Sequence, residues 1–117
     1  MARSVKTAPL CSVISDGFYV NGLPHPRLYG TFPQLLGEVS REKKWMPLAE
    51  AIHKITAKPA GRLRLSDRGV LRPGAVADVT VFDPGNVAGQ ATYESPKQVP
   101  HGIRAVFRAG QRISRPS

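Results

Sequence analysis

The first apolar run of the chain is short and ends abruptly. It covers Leu10–Ile14, contains two β-branched residues, and is followed directly by Ser15-Asp16-Gly17. This pattern predicts a short buried strand that ends in a turn. Glycine and proline then interrupt residues 18–30 without clear periodicity. That stretch is typical of a loop whose backbone is held by turn residues.

A first helix is predicted just after this loop. Thr31 and Gln34 have the spacing of a capping box, in which two side chains satisfy backbone donors at the start of a helix. Apolar residues follow at helical spacing, and cations gather near the end, where they favour the helix dipole. We therefore predict a helix that begins at Thr31 and ends before Trp45.

A second helix is predicted from Pro47 onwards. Apolar residues recur at i, i+4 and i+7 from Leu48, and the same periodicity places Lys54 on the outward face. Pro59 is expected to end this helix, because proline disrupts a helix interior. Residues 59–63 are then expected to add one more helical turn.

The C-terminal part of the chain is predicted to be β-structure. Asp78–Phe82 is typical of a strand that closes in an Asp-Pro-Gly turn. Ile103–Phe107 and Gln111–Ile113 flank Ala109-Gly110, which predicts a hairpin. Residues 86–102, between the strand and the hairpin, are predicted to form a loop.

Length and composition limit the class of protein. The chain has 117 residues, which allows one domain, and its 11 glycines and 11 prolines favour short elements. It contains no apolar run of the roughly 20 residues that a membrane span needs, and its start lacks a signal-peptide pattern. We expect a soluble, cytoplasmic protein without membrane partners. A single cysteine, Cys11, provides no disulfide framework.

The charge of the chain raises a second possibility. Lysine and arginine total 17 against 8 acidic residues, a net charge of +9. An excess of this size is typical of proteins that bind nucleic acid or acidic partners. However, the arginines are scattered among glycine, proline and aliphatic residues, and no nucleic-acid-binding motif is evident. We do not expect nucleic acid, and a small basic binding module that contacts nucleic acid or an acidic protein stays as the alternative function.

Candidate chemistry lies in the turn and loop near the start of the chain. Asp16 follows the first predicted strand, and catalytic carboxylates of barrel enzymes lie at the carboxyl ends of strands. Its alternative role is to cap the turn. Arg27 lies in His25-Pro26-Arg27, where a guanidinium would suit a substrate carboxylate, and its alternative is a solvated loop arginine. Tyr29 would line a pocket beside Arg27, and its alternative role, the more usual one for an aromatic residue at a helix start, is packing in the core.

These residues carry a resemblance to a known family. Ser15-Asp16-Gly17 followed by the run 25–33 resembles the segment of N-acyl-D-amino-acid deacylases (D-aminoacylases) that leads from the last barrel strand into the next helix. Residues 48–56 and 67–83 are similar to the C-terminal region of their metal-dependent amidohydrolase superfamily. Residues 104–113 resemble the closing strands of its small β-sandwich.

The resemblance implies an α+β arrangement. Residues 1–62 would form the end of a TIM-type (β/α)8 barrel, with its last strand, loop and helices, and residues 63–117 the C-terminal part of the β-sandwich. Asp16 would be the catalytic carboxylate that activates the zinc-bound water and passes its proton to the leaving amine. Arg27 would bind the carboxylate of the N-acyl-D-amino acid, with His25 and Tyr29 also at the substrate.

The resemblance also implies zinc as a cofactor and a larger assembly. Most of the family's metal ligands, including an early His-x-His pair, have no counterpart in this sequence. The chain therefore looks like the C-terminal segment of a zinc-dependent deacylase, and we expect it to lack the metal site and to be inactive in isolation. The expected partners are an N-acyl-D-amino acid and either an N-terminal partner chain or a second copy.

Overall fold

The computed structural model describes residues 8–9, 11–17 and 19–113 of the chain. Helices dominate the first half of this described part and short antiparallel strands the second, so the arrangement is α+β. The elements are β1 (Tyr19–Val20), β2 (Leu23–Pro24), α1 (Arg27–Gln34), a π-helical segment (Leu35–Glu42), α2 (Leu48–Ile55), α3 (Ala57–Arg62), β3 (Val79–Phe82), β4 (Ile103–Arg108) and β5 (Gln111–Arg112). None of the helices among these residues is long and apolar enough to cross a membrane.

The N-terminal segment corrects two predictions. Residues 11–17 form no strand, and Leu10 lies outside the described residues. A strand needs neighbours along its edge, whereas Val13 contributes a single long hydrogen bond to Lys54 O, at 3.4 Å. The stretch predicted as a loop contains the hairpin β1–β2, because Asn21 and Gly22 both adopt positive φ, as a two-residue hairpin turn requires.

The first helix begins at Arg27 rather than at Thr31, so the capping-box prediction is wrong. Pro26 stands at its N-cap with φ −51°, a value already suited to a helix, and its carbonyl accepts the N–H of Gly30 at 3.0 Å. Thr31 is consequently inside the helix, where its hydroxyl donates to the carbonyl of Arg27 at 2.8 Å.

The helix continues beyond Gln34 with a wider, π-helical backbone. The N–H of Lys43 donates to the carbonyl of Glu38 at 2.9 Å, which is the five-residue spacing of a π-helix. The helical segment ends before Trp45, as predicted. Its inward side chains join the core, whose buried members are Leu35, Leu36, Val39, Met46, Ala51 and Val87.

The second helix begins after Pro47, as predicted, but ends earlier than Pro59. The break comes at Thr56, whose φ of −127° and ψ of −92° are not helical. Pro59 lies near the start of α3, where its missing N–H leaves no helical hydrogen bond unmade. The additional helical turn predicted for residues 59–63 is therefore present as part of α3.

Lys54 is not on the outward face where the periodicity placed it. Its side chain is 1% exposed, and its Nζ donates to the carbonyls of Ala8 and Cys11 at 2.6 and 3.1 Å. The N-terminal segment covers this face of α2, and a helical periodicity cannot anticipate a covering segment that forms no element of its own.

The strands of the second half form one antiparallel sheet in the order β3–β4–β5. The predicted strand and hairpin are confirmed, and each of their ends lies within one residue of its predicted position. The hairpin turns at Ala109 and Gly110, both with positive φ. The predicted loop 86–102 is confirmed as largely irregular and contains one isolated bridge between Ala88 and His101. The division of the chain at residue 62 stays a prediction.

Candidate functional site

The four candidate residues of the sequence lie together at the start of α1. Arg27, the first residue of that helix, donates from Nε to the main-chain carbonyl of Asp16 at 2.8 Å. One terminal nitrogen of its guanidinium also lies 3.9 Å from Oδ2 of Asp16. His25 and Tyr29 stand two residues to either side of Arg27 along the chain. The turn 15–17 and the helix start therefore form one cluster.

Asp16 is held in an uncommon backbone conformation that leaves its carboxylate accessible. Its φ is +46°, which aspartate tolerates better than most residues, and its side chain is 79% exposed. The next residue is Gly17, where a Cβ would lie 2.6 Å from Cα of Leu28. Only glycine lets this turn approach α1 so closely, and the approach brings Asp16 to Arg27.

His25 connects Arg27 to a distant part of the chain. Its Nδ1 accepts the backbone N–H of Arg27 at 3.1 Å, and its Nε2 lies 3.1 Å from the hydroxyl of Tyr93. The two rings meet edge to face with centroids 5.1 Å apart. Because Nδ1 accepts a hydrogen bond, a neutral imidazole carries its proton on Nε2, and Nε2 donates to Tyr93.

Tyr29 takes part in a second pair of aromatic residues. Its hydroxyl is hydrogen-bonded to that of Tyr19 at 3.1 Å. This hydrogen bond is the main cause that raises the pKa of Tyr19 above its ordinary value of 10.0, with smaller contributions from desolvation and from the charge of Tyr29. Nζ of Lys97 lies 5.9 Å from the centre of the Tyr19 ring. Tyr29, two residues after Arg27, thus connects α1 to the hairpin β1–β2.

Neither Tyr19 nor Tyr93 was among the site residues predicted from the sequence. The Asn21-Gly22 pair was a usable signal for Tyr19, because a hairpin turn there brings Tyr19 back towards the start of α1. Tyr93 lies 68 residues from His25. No local pattern in the sequence predicts that contact.

The cluster suits an anionic ligand that exchanges a proton. Arg27 offers a planar set of donors that matches a carboxylate, and Asp16 offers an exposed carboxylate that can accept and release a proton. Within residues 8–9, 11–17 and 19–113, no group of three or more histidine, cysteine or acidic side chains could hold a metal ion.

Comparison with known proteins decides the family. A model of the amidohydrolase family (Amidohydro_3) matches residues 13–114, almost the whole chain. The chain belongs to the amidohydrolase family. The resemblance inferred from the turn 15–17 and the run 25–33 is thereby confirmed.

Within the amidohydrolase family, the chain is similar to three curated enzymes from Alcaligenes xylosoxydans xylosoxydans. An N-acyl-D-aspartate deacylase is 44% identical over 105 residues, which are 90% of this chain and 21% of the relative. A D-aminoacylase is 45% identical over 82% of this chain and 20% of its own length. An N-acyl-D-glutamate deacylase is 44% identical over 86% and 20%. The amidohydrolase chain thus spans about a fifth of the length of these relatives.

Solved structures agree with the sequence relatives. A D-aminoacylase has a TM-score of 0.83 and 42% identity over 86% of this chain and 21% of its own. An N-acyl-D-glutamate deacylase from Bordetella bronchiseptica, complexed with zinc and a phosphonate inhibitor that mimics the tetrahedral intermediate, has a TM-score of 0.90 and 43% identity over 94% and 23%. These relatives are deacylases, and nothing in the comparisons favours the alternative of a basic binding module.

Proposed function

We propose that this chain supplies the substrate-binding and proton-transfer part of an N-acyl-D-amino-acid deacylase, which hydrolyses the amide bond to release a D-amino acid and a carboxylate. One observation carries the proposal: at the start of α1, the guanidinium of Arg27 donates to the main-chain carbonyl of Asp16 at 2.8 Å and lies 3.9 Å from its exposed carboxylate. The relatives, an N-acyl-D-aspartate deacylase and a D-aminoacylase, supply the class of reaction.

In this proposal, Arg27 binds the carboxylate of the substrate. Its Nε–H is bound to the carbonyl of Asp16, so the plane of the guanidinium is fixed before substrate arrives. Two parallel N–H···O bonds from an arginine to a carboxylate give both affinity and orientation. Every N-acyl-D-amino acid carries the carboxylate that this group would recognise, whatever its side chain.

Asp16 moves the proton in the same proposal. A water molecule attacks the acyl carbon, and the carboxylate of Asp16 takes one of its protons as the new carbon–oxygen bond forms. The same proton then goes to the amide nitrogen as the carbon–nitrogen bond breaks, so that a neutral amine leaves. The side chain is 79% exposed, which leaves both of its oxygens accessible to a ligand.

The remaining parts of the enzyme lie elsewhere. The inhibited relative contains zinc, which would polarise the acyl carbonyl, and residues other than those described would hold it. We place residues 1–62 at the end of the catalytic barrel and residues 63–117 in the β-sandwich. An N-terminal partner chain or a second copy would supply the rest.

A chimera tests this function. The segment of the Alcaligenes D-aminoacylase that corresponds to residues 13–114 of this chain would be replaced by those residues, and hydrolysis of N-acetyl-D-amino acids measured. We expect an active enzyme in which Asp16→Asn lowers kcat by about 100-fold or more, as the loss of a general acid–base does. Arg27→Lys is expected to raise KM by about 10-fold, because it loses the bidentate contact.

Matched controls separate these effects from general damage. Asp67→Asn and Arg62→Lys make the same chemical changes in the exposed stretch 61–74, and both should leave kcat and KM unchanged. A folded, zinc-loaded chimera without hydrolysis would contradict the proposed function. An Asp16→Asn chimera that keeps its kcat would remove the catalytic assignment.

A further inference from the structure

Tyr93 reaches His25 at the end of an irregular segment, Val87–Tyr93, which we call the strap. The strap begins in the core, where Val87 is fully buried. The carbonyl of Val87 accepts a hydrogen bond from Arg41 at 2.7 Å. From there the strap follows the α1–π-helical segment back towards the start of α1.

Three glycines let the strap lie directly on the helix. A Cβ at Gly37 would lie 2.3 Å from the carbonyl oxygen of Val87, and one at Gly89 would lie 3.0 Å from that of Gly30. A Cβ at Gly30 would lie 3.4 Å from Cβ of Ala91. The contacts run backwards along the helix as the strap runs forwards, so the two segments are antiparallel.

The strap is long enough to reach the start of α1. Fully extended, its six residue steps from Val87 to Tyr93 span at most about 20 Å. The ten helical steps from Gly37 back to Arg27 span about 15 Å, and His25 lies two residues further along the chain. The strap can therefore bring Tyr93 to His25, although Tyr93 itself is 77% exposed.

A chain of hydrogen bonds then leads from the strap to the candidate site. The hydroxyl of Tyr93 accepts from Nε2 of His25, Nδ1 of His25 accepts from the backbone N–H of Arg27, and Nε of Arg27 donates to the carbonyl of Asp16. We propose that Tyr93 is a positioning residue of the deacylase site, which fixes the ring of His25 and through it the orientation of Arg27 towards the substrate carboxylate. This inference rests on the proposed function.

The arrangement argues for positioning rather than for core stability. The phenol ring of Tyr93 is mostly in solvent, so removing its hydroxyl leaves the buried residues unchanged. The ring of His25 loses its only restraint at Nε2 that the described hydrogen bonds provide. Rotation of the imidazole then takes Nδ1 away from the backbone N–H of Arg27. The backbone from which the guanidinium extends loses this hydrogen bond.

The first test uses the full 117-residue chain and needs no substrate. NMR would measure the exchange with water of the backbone N–H and Nε–H of Arg27 in the wild type and in Tyr93→Phe. We expect about 2- to 10-fold faster exchange in the variant, the effect of one hydrogen bond. The control is Val99→Ala, an exposed residue of the same loop, which should leave both rates unchanged.

The second test uses the active chimera. Tyr93→Phe should raise KM by about 2- to 10-fold with kcat unchanged, because binding of the carboxylate is weakened and proton transfer by Asp16 is not. Exchange at Arg27 equal to the wild type, or faster exchange throughout the chain with a lower Tm, would overturn the positioning role. An inactive wild-type chimera would instead contradict the proposed function, and the exchange rates of Arg27 would still decide the role of Tyr93.

Discussion

Lys54 shows at the scale of one residue how a sequence pattern can mislead. Leu48, Ile52 and Ile55 of α2 pack against the core, as periodicity predicts. Lys54 is buried at a position that the same periodicity assigns to solvent. Its buried ammonium group instead satisfies two carbonyls of the N-terminal segment. A lysine is rarely buried unless its donors are used, and here they connect the start of the chain to the second helix.

We therefore expect Lys54→Ala to be strongly destabilising. The variant leaves the carbonyls of Ala8 and Cys11 without this donor and creates a cavity, which together cost about 2–4 kcal/mol in free energy of unfolding. Chemical denaturation of the chain measures the loss. His53→Ala, at the exposed neighbouring position, should change stability by less than about 0.5 kcal/mol. Equal effects of the two substitutions would show that the buried contacts contribute nothing.

Asp83 gives a prediction about pH. The backbone N–H of Gly85, the side chain of Asn86 and the guanidinium of Arg104 hold the pKa of its carboxyl below the ordinary value of 3.8. A lowered folded-state pKa stabilises the protein above the unfolded pKa, and this contribution is lost as pH falls through the folded value. Asp83→Asn should therefore be less stable than the wild type at pH 7.

The stability difference between Asp83→Asn and the wild type should shrink as the pH falls below about 4, where aspartate in the unfolded chain becomes protonated. It should vanish once the pH lies below the lowered pKa of Asp83 in the folded protein. Urea denaturation at pH 7 and at pH 3 measures it, with Asp67→Asn as the control in an exposed stretch. A stability difference that stays constant between the two pH values would mean that the charge of Asp83 is not the cause.

At the scale of elements, helix α2, the sheet strand β3 and the C-terminal hairpin followed from local pattern. Their signals are short-range: a proline before an apolar periodicity, and turn residues between alternating strands. The first predicted strand failed for the opposite reason, because a strand also needs a partner that no local pattern supplies. The start of α1 was misplaced since Thr31 and Gln34 match a capping box by spacing alone, whereas Pro26 sets the true start.

Two glycines on helical segments should respond in opposite directions to the same substitution. Gly37→Ala places a Cβ 2.3 Å from the carbonyl of Val87 and should destabilise the chain by about 1–3 kcal/mol. At Gly61, in α3, a Cβ would meet nothing within 4 Å. Gly61→Ala should therefore stabilise by about 0.4–1 kcal/mol, because the unfolded chain loses freedom. Thermal denaturation of both variants checks the sign, and a neutral Gly37→Ala would mean that the strap yields easily.

At the scale of the whole molecule, the sequence identified the Asp16–Arg27 pair but could not foresee its surroundings. Asp16, His25 and Arg27 are close along the chain, so a turn and a helix start suffice to bring them together. Tyr93 depends on the packing of the strap against the helix, which is a tertiary property. Local pattern in this chain likewise does not predict the residues that would complete a deacylase.

The isolated 117-residue chain gives the last prediction. Because its described residues contain no cluster of three metal-ligating side chains, we expect no stoichiometric zinc and no hydrolysis of N-acetyl-D-amino acids. Metal analysis of the purified chain and an assay for the released D-amino acid check this together. Bound zinc with turnover would mean that the chain assembles a complete site. It would contradict the proposal that residues other than those described hold the zinc.

The strap sets a rule for insertions and deletions. One residue added or removed between Val87 and Tyr93 would shift the tyrosine by about 3.3 Å, more than the length of the hydrogen bond it makes. The same change between residues 94 and 99 alters a largely exposed part of the loop that follows Tyr93. Variation in loop length among proteins that keep this tyrosine should therefore gather after position 93, and the strap should keep its seven residues.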